Sequence, residues 1–220
     1  MDKTIDGNLF MTSSPIHPKA LVEKGAKLGS ATRVWAFTHI QAGARLGTNC
    51  NIGDHVFLEK GSVLGNFVTV KNGVSLWEGV HTEDGVFIGP ACVFTNHLLP
   101  RAFRKEPAKA WLKPTLLKEG CTLGANATIL AGITIGQCAF VAAGSVVTKS
   151  VPDFALVMGN PARFDSWRCF CGEALTFRGT QAICSACKER FSWVRRENRV
   201  TSLATQNPVQ RYLKQRRIGS

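Results

Sequence analysis

An apolar residue returns every six positions along this chain. From Ile16 the steps land on Val22, Leu28, Val34, Ile40, Leu46, Ile52, Leu58, Leu64, Val70, Leu76, Thr82, Ile88 and Phe94, and thirteen of these fourteen are apolar. The phase is then lost and returns at Leu117, Leu123, Ile129, Ile135, Val141 and Val147. In a chain that is 45% hydrophobic, chance would put about nine apolar residues at these twenty positions, and nineteen are found. Four residues after each mark the side chain is small or β-branched, as at Ala20, Ala26, Thr32, Thr38, Ala44, Cys50 and Val56, with Leu98 the exception. Glycine recurs between them, as corners with positive φ require.

A period of six fits neither a helix, at 3.6, nor a plain strand, at 2. It is the mark of a hexapeptide β-helix, in which each hexad supplies one short strand and one corner. Three hexads close a triangular coil with the apolar mark pointing inward. Coils stack at the strand spacing, so twenty hexads predict an all-β prism on the order of 30 Å long.

The break in the phase divides the chain. Residues 1–15 are a polar lead-in, and residues 16–163 read as the β-helix domain. The mark due at position 100 falls at 117, so seventeen residues are inserted, and the excursion is placed at 97–116. Long loops in compact solenoids are usually functional or disordered. The end of a solenoid exposes its core and its strand edges, so the segment after Arg163 is expected to cap it.

That segment carries a second pattern. Cys169 and Cys171 form a C-x-C pair, and Cys184 and Cys187 form a C-x-x-C pair twelve residues later. Two paired thiols bring four soft ligands together, which predicts a structural zinc site in a zinc-ribbon-like module over 164–194, with a hairpin of Ala174–Phe177 and Gln181–Ile183. A disulfide pair is the alternative. The other four cysteines lie in the repeat, where Cys acts as a small hydrophobe, although Cys138 falls one residue off the small-residue position. Residues 195–220 read as a basic tail with a short helix near Val209–Leu213 and a disordered end.

The net charge is +12, and residues 164–220 hold +7 of it, with 11 Lys and Arg against 4 Asp and Glu. A basic balance suits anionic partners such as nucleotides and phosphate-bearing cofactors. The opening MDKTIDGNLFMTSSP lacks the apolar core of a secretory signal, and no run of apolar residues is long enough for a membrane span. A cytoplasmic protein with no membrane span is expected.

Four stretches carry a resemblance: RVWAFTHIQAGARLG (33–47), EDGVFIGPACVFTN (83–96) followed by Pro100–Arg101, KPTLLKEGCTLGANATILAGITIG (113–136) and FVAAGSVVTKSVPDFALVMGNPAR (140–163). On these the chain resembles the left-handed hexapeptide-repeat acyltransferases, and within them the N-acetyltransferases of nucleotide-linked 3-amino sugars that serve surface polysaccharides. The likeness is greatest to enzymes acting on a UDP-linked 2-acetamido-3-amino glucuronic acid, and enzymes of dTDP-3-amino-3,6-dideoxyhexoses share nearly the same motifs. The resemblance implies a left-handed parallel β-helix, a homotrimer with an active site in each cleft between neighbours, and acetyl-CoA lying along the C-terminal coils. It implies that the pantetheine arm bonds backbone near Ala125, Ala143 and Gly144, with Lys149, Pro161 and Arg163 near the nucleotide end of the coenzyme.

The implied reaction is attack of an amine on a thioester, which needs a neutral amine, a placed carbonyl and donors for the oxyanion. In the family the amine is oriented by the Asn of an F-T-N motif, which maps onto Asn96. His97 follows it and could act as a base at neutral pH, although the family pattern has no His there. Trp35, His39, Glu83, Asp84 and Arg101 are the expected substrate contacts. Trp35 directly follows the inward Val34 and so faces outward, toward a base, a sugar or a neighbouring subunit.

Three other classes compete with this reading. Zinc hydratases built on the same prism need three His, two of them close in sequence, and no H-x-x-x-x-H exists here. A non-enzymatic scaffold would not need the F-T-N or G-N-P-A-R motifs. Nucleic-acid binding is an unlikely added role of the ribbon, where Phe170, Phe177, Phe191 and Trp193 would have to stack on bases.

Overall fold

The computed structural model describes residues 15–104 and 107–218. Two-residue strands follow one another every six residues and pair in parallel with the strand one coil away, as Leu21 pairs with His39 and His39 with Phe57. The register therefore steps by eighteen, three hexads to a coil. The result is a parallel β-helix with three faces, as the repeat predicts. The first face holds the strands Leu21–Val22 through Val146–Val147, the second Lys27–Leu28 through Thr134–Ile135, and the third Arg33–Val34 through Phe140–Val141.

The inward marks build the core. Every mark from Val34 to Val147 is buried, including the polar Thr82, whereas Ile16, Val22 and Leu28 at the N-terminal end are half-buried. Corners are bonded from coil to coil. At the third corner, between the third and first faces, His55 N–H donates to Ala36 O, Gly73 to Asp54, Ala91 to Asn72, Asn126 to Pro90 and Gly144 to Ala125, at 2.8–3.2 Å. Each donor there has φ between 54° and 72°. The second corner, between the second and third faces, repeats the motif with Ala31, Asn49, Phe67, Gly85, Gly120, Cys138 and Phe154 in the left-handed position. Cys138 is thus off the small-residue position because it occupies the turn itself. Burial pushes its thiol up to about 12 and that of Cys92 up to about 11, so both stay neutral.

The seventeen inserted residues lie between the strands Val93–Phe94 and Thr115–Leu117, and the register across them grows from 18 to 35, as His81 pairs with Leu116. The excursion is therefore shorter at its far end than 97–116. Its neck is closed where Lys113 N–H donates to Asn96 O at 3.1 Å, and it carries one helical turn, Ala108–Trp111. On the first face the ladder is interrupted between Ser75–Leu76 and Val93–Phe94. There the Trp77 indole N–H donates to Phe94 O at 2.9 Å.

The C-terminal segment caps the prism. Strand Ala155–Gly159 joins the third face and turns through Asn160–Pro161 into the antiparallel strand Ala162–Trp167. A second sheet orders Gln181–Ile183, Arg190–Val194 and Arg199–Ser202. The hairpin expected from Ala174–Phe177 does not form: Gln181–Ile183 pairs with Arg190–Val194 instead. Leu175 N–H is bonded back to Trp167 O, because the chain doubles on itself around Cys169–Glu173. Phe191 is fully buried against Phe154, ring centroids 5.3 Å apart, and fixes this sheet to the last coil.

The basic tail carries the short helix expected near Val209–Leu213, and the strand Arg199–Ser202 precedes it. Asn207 caps a helix, Pro208–Ile218, accepting from Val209 N–H at 3.0 Å, with proline at its first position. The helix lies on the second corner. A Cβ on Gly85 would come within 3.3 Å of Val209, and one on Gly120 within 2.9 Å, so these two adjacent glycines form the seat for Val209 and Leu213. Among the described residues no helix is long and apolar enough to cross a membrane.

Candidate functional site

The expected site residues divide by corner. Ala125, Ala143 and Gly144 fall on the third corner, in the column that continues Ala36, Asp54, Asn72 and Pro90. Gly144, at φ 70°, has no atom within 4 Å of where its Cβ would stand, so the backbone here is open to a close approach. The hairpin tip is drawn to the same corner, since Gly159 N–H donates to Ser145 Oγ at 3.2 Å. Pro161 and Arg163 are exposed on that tip. Lys149 is exposed one corner away, beyond the end of the first face.

Trp35 stands lower on the third corner, 47% exposed, with its Nε1–H donating to Asn51 Oδ1 at 2.8 Å. His39 begins the next strand of the first face. Its Nε2 lies 2.7 Å from Glu23 Oε1, and its ring meets Phe57 edge-on at 5.3 Å. Glu23 was not among the residues expected from sequence.

Asn96, His97 and Arg101 lie at the first corner, between the first and second faces. Phe94 is buried, and Thr95 Oγ1 accepts from Ala131 N–H at 3.0 Å, so Asn96 leaves the prism from a fixed point. The His97 ring stacks on Trp111 at 5.1 Å, and its Nδ1 accepts from Leu99 N–H at 3.0 Å. That bond commits the Nδ1 lone pair. The neutral ring therefore carries its proton on Nε2 and offers a donor, not the free lone pair that a general base needs. Arg101 is exposed; its Nη1 donates to the carbonyl of Pro100 at 3.1 Å, and its own carbonyl accepts from Arg104 N–H at 3.2 Å.

Glu83 and Asp84 part from the rest. They sit on the second corner, where Glu83 Oε2 accepts from Glu119 N–H at 2.9 Å and Asp84 Oδ1 from Asn66 N–H at 2.7 Å. The helix Pro208–Ile218 covers this corner: Gln210 Nε2 reaches Asp84 Oδ2 at 3.5 Å, and Asn207 and Gln210 both donate to the buried Glu119. For Asp84 the expected substrate contact is corrected, because its carboxylate bonds Asn66 N–H and lies under the chain's own helix. Glu83 stays exposed on the same corner, with its Oε2 bonded to Glu119 N–H.

The four cysteines of the cap converge. Their sulfurs all lie within 4.8 Å of one another, with Cys169 and Cys187 at 3.4 Å and Cys171 and Cys184 at 3.6 Å, and none is in a disulfide. Sulfurs about 2.3 Å from a tetrahedral zinc stand roughly 3.8 Å apart, so the set fits such an ion. Burial raises the Cys184 thiol, but N–H groups of Cys187 and Ala186 and the neighbouring thiols more than offset this and hold it at about 7. The aromatics of the cap face inward. Phe191 is fully buried, and Phe177 and Trp167 pack on Trp193 at 5.5 and 6.1 Å. These contacts make the small core of the module.

Comparison with known proteins places this geometry. The family described as bacterial transferase hexapeptide (six repeats) matches residues 114–149. The dTDP-3-amino-3,6-dideoxy-α-D-galactopyranose 3-N-acetyltransferase of Aneurinibacillus thermoaerophilus is 47% identical over 184 residues, covering 81% of this chain and 90% of that protein. Bifunctional protein GlmU of Brevibacillus brevis is 32% identical over 135 residues, which span 61% of this chain and 27% of that longer protein. Among solved structures, the acetyltransferase domain of PglB from Neisseria gonorrhoeae FA1090, in complex with acetyl coenzyme A, covers 68% of this chain and 56% of that one at 23% identity and a TM-score of 0.45. Since the Aneurinibacillus enzyme shares nearly half its aligned residues with this chain along most of both, the chain belongs to the hexapeptide-repeat N-acetyltransferases.

Proposed function

We propose that this protein transfers the acetyl group of acetyl-CoA to the 3-amino group of a nucleotide-linked amino sugar, in the cytoplasm, for a surface polysaccharide. The working unit is a homotrimer of left-handed prisms, with each site in a cleft between neighbours. The observation that carries the reading is the third corner, where Ala125, Ala143 and the open Gly144 form a flat small-residue column that ends at the Gly159–Ala162 hairpin. The enzyme named for transfer to a dTDP-linked 3-amino sugar, 47% identical, supports the substrate class.

The pantetheine arm lies on that column and bonds its backbone. Lys149 and Arg163 meet the coenzyme phosphates by charge-assisted bonds. Asn96, anchored through Phe94 and Thr95, orients the sugar amine, with His97 and Arg101 as donors to the substrate. The neutral amine attacks the thioester carbonyl, and corner N–H groups take the oxyanion. The tetrahedral intermediate collapses, the C–S bond breaks, and the proton lost by the nitrogen goes to the leaving thiolate. No side-chain base is needed for that balance. Cys169, Cys171, Cys184 and Cys187 hold one structural zinc, which has no open position and takes no part in the transfer.

Incubating the protein with acetyl-CoA and a panel of UDP- and dTDP-linked 3-amino sugars tests the reading by mass spectrometry. One panel member should gain an acetyl group. If none does while acetyl-CoA binds, the acceptor class is wrong.

A further inference from the structure

We propose that the cap carries a docking face for an anionic lipid surface, formed by the outer side of its three-stranded sheet and the helix beside it. The inference goes beyond acetyl transfer and does not depend on it.

Strand register fixes which side chains share the face. Antiparallel partners lie on one side of a sheet, and successive residues alternate between the two sides. Ala182, Phe191 and Val200 are buried on the inner side, where Phe191 meets Phe154 of the last coil. Ile183 pairs with Arg190, and Leu203 N–H donates to Arg190 O at 2.8 Å. Ile183, Arg190 and Leu203 therefore form one row on the outer side, turned away from the prism. Ile183 is 61% exposed and Leu203 51%.

This apolar pair is set among cations. Exposed Lys188 stands in the turn that joins Ile183 to Arg190. Arg211, on the helix Pro208–Ile218, pairs with Glu189, which brings the helix to the same end of the sheet. Exposed Lys214 follows Arg211 one turn later. Residues 164–220 hold four carboxylates. Glu189 and Glu197 are paired with Arg211 and Arg199, and Asp165 and Glu173 precede the sheet. Lys188, Arg190 and Lys214 are thus left without an acidic partner among the described residues.

The pattern suits a membrane surface. Cations of a docked protein stay at the lipid phosphates while apolar side chains sink to the boundary with the acyl chains. A nucleic-acid backbone would take the cations but give Ile183 and Leu203 nothing apolar to meet. A fluid lipid surface also moulds to a shallow sheet face, so no pocket is required. The face is clear of the column proposed for acetyl-CoA. Its helix is seated by Gly85 and Gly120 on the second corner, whereas Ala125, Ala143 and Gly144 are on the third.

Vesicle cosedimentation tests this. Full-length protein is mixed with vesicles of phosphatidylcholine alone or with added phosphatidylglycerol, at low and at high salt. At low salt it should partition at least about tenfold more strongly onto the anionic vesicles, and high salt should release it. Each Lys or Arg near such a surface contributes about fivefold, so K188Q/R190Q should partition about 25-fold less and K214Q about fivefold less. I183S/L203S should partition at least about threefold less, through loss of the apolar contact. All three variants should keep the wild-type melting temperature and acetyl-CoA affinity, because the changed side chains are exposed. Equal partition onto both kinds of vesicle would overturn the proposal, as would wild-type partition of K188Q/R190Q or of I183S/L203S. Binding to a single-stranded oligonucleotide without binding to vesicles would overturn it too, and would assign the face to nucleic acid.

Discussion

Glu23 holds two neighbours at once: its Oε1 lies 2.7 Å from His39 Nε2, and its Oε2 accepts from Ala42 N–H at 2.9 Å. The Ala42 N–H, and after it His39, lower the carboxyl below its ordinary value of 4.5. A depressed carboxyl contributes stability above its unfolded value and loses it as pH falls through the folded one. E23Q should therefore melt below wild type at pH 7, and the gap should close once the pH is taken well below 4.5. Identical melting curves at pH 7 would show that the pair contributes nothing.

Asn96 is held at the point where the first-face ladder is interrupted. Trp77 bonds Phe94 O and Thr95 bonds Ala131 N–H, so Asn96, the residue proposed to orient the amine, is set by the core and not by the loop. N96A should lower kcat on the order of 10²-fold through misplacement of the amine, with acetyl-CoA affinity unchanged. T95V leaves the Ala131 N–H without its acceptor and should cost about 1–3 kcal/mol of stability by chemical denaturation. An N96A enzyme of full activity would remove Asn96 from the site.

The six-residue phase made the prism legible, because each mark meets the same inward environment. The site was legible less evenly. Asn96 and Trp35 stand out in the sequence because they sit beside a mark, at a break or on an outward step. The bonds of Asp54 to Asn72 and of Glu23 to His39 cross coils, and that relation appears only when the sequence is read at eighteen. At that period Ala36, Asp54, Asn72 and Pro90 form one column, whereas Asp84 falls in line with Ser30, Thr48 and Asn66 on another corner. The docking of residues 195–218 onto the prism was hidden for a different reason. Their apolar content is low, and their seat is made by two glycines far upstream, Gly85 and Gly120.

That seat gives a directional test. Gly120 has φ 67°, and a Cβ there would press on Val209 at 2.9 Å and Cys138 at 3.2 Å. Gly73 has φ 72° with nothing within 4 Å. Both alanine variants incur the left-handed strain of about 1–2 kcal/mol, but only G120A also displaces the helix. G120A should lower the melting temperature more than G73A and should raise protease cleavage near residue 207. Equal effects would mean that the helix adds no stability there.

The insert is closed at its neck by Lys113 N–H and Asn96 O and steadied by the His97–Trp111 stack. Leu99 and Phe103 on it are exposed at 74% and 87%. Its described residues 98–104 are mostly exposed, so replacing 98–110 with two glycines should leave the melting temperature within a few degrees. Turnover of the amino sugar should be lost, because His97 and Arg101 lose their positions. Retained turnover would reduce the insert to decoration.

The four-cysteine cluster joins the cap to the prism through a short chain of contacts. Cys169 follows Trp167, whose ring lies 6.1 Å from that of Trp193, and Cys184 precedes the strand that carries Phe191 onto Phe154. With so small a core of its own, the module is one whose fold the proposed zinc would complete. One zinc per chain is expected by elemental analysis, and C184S should lose it. Because Phe191 then leaves Phe154, the last coil is uncovered and the melting temperature should fall. The Ala125–Gly144 column is held by backbone bonds within the prism, so acetyl-CoA binding should survive in C184S at low temperature. A metal-free wild type with an unchanged melting curve after chelation would leave four thiols packed as a plain hydrophobic knot.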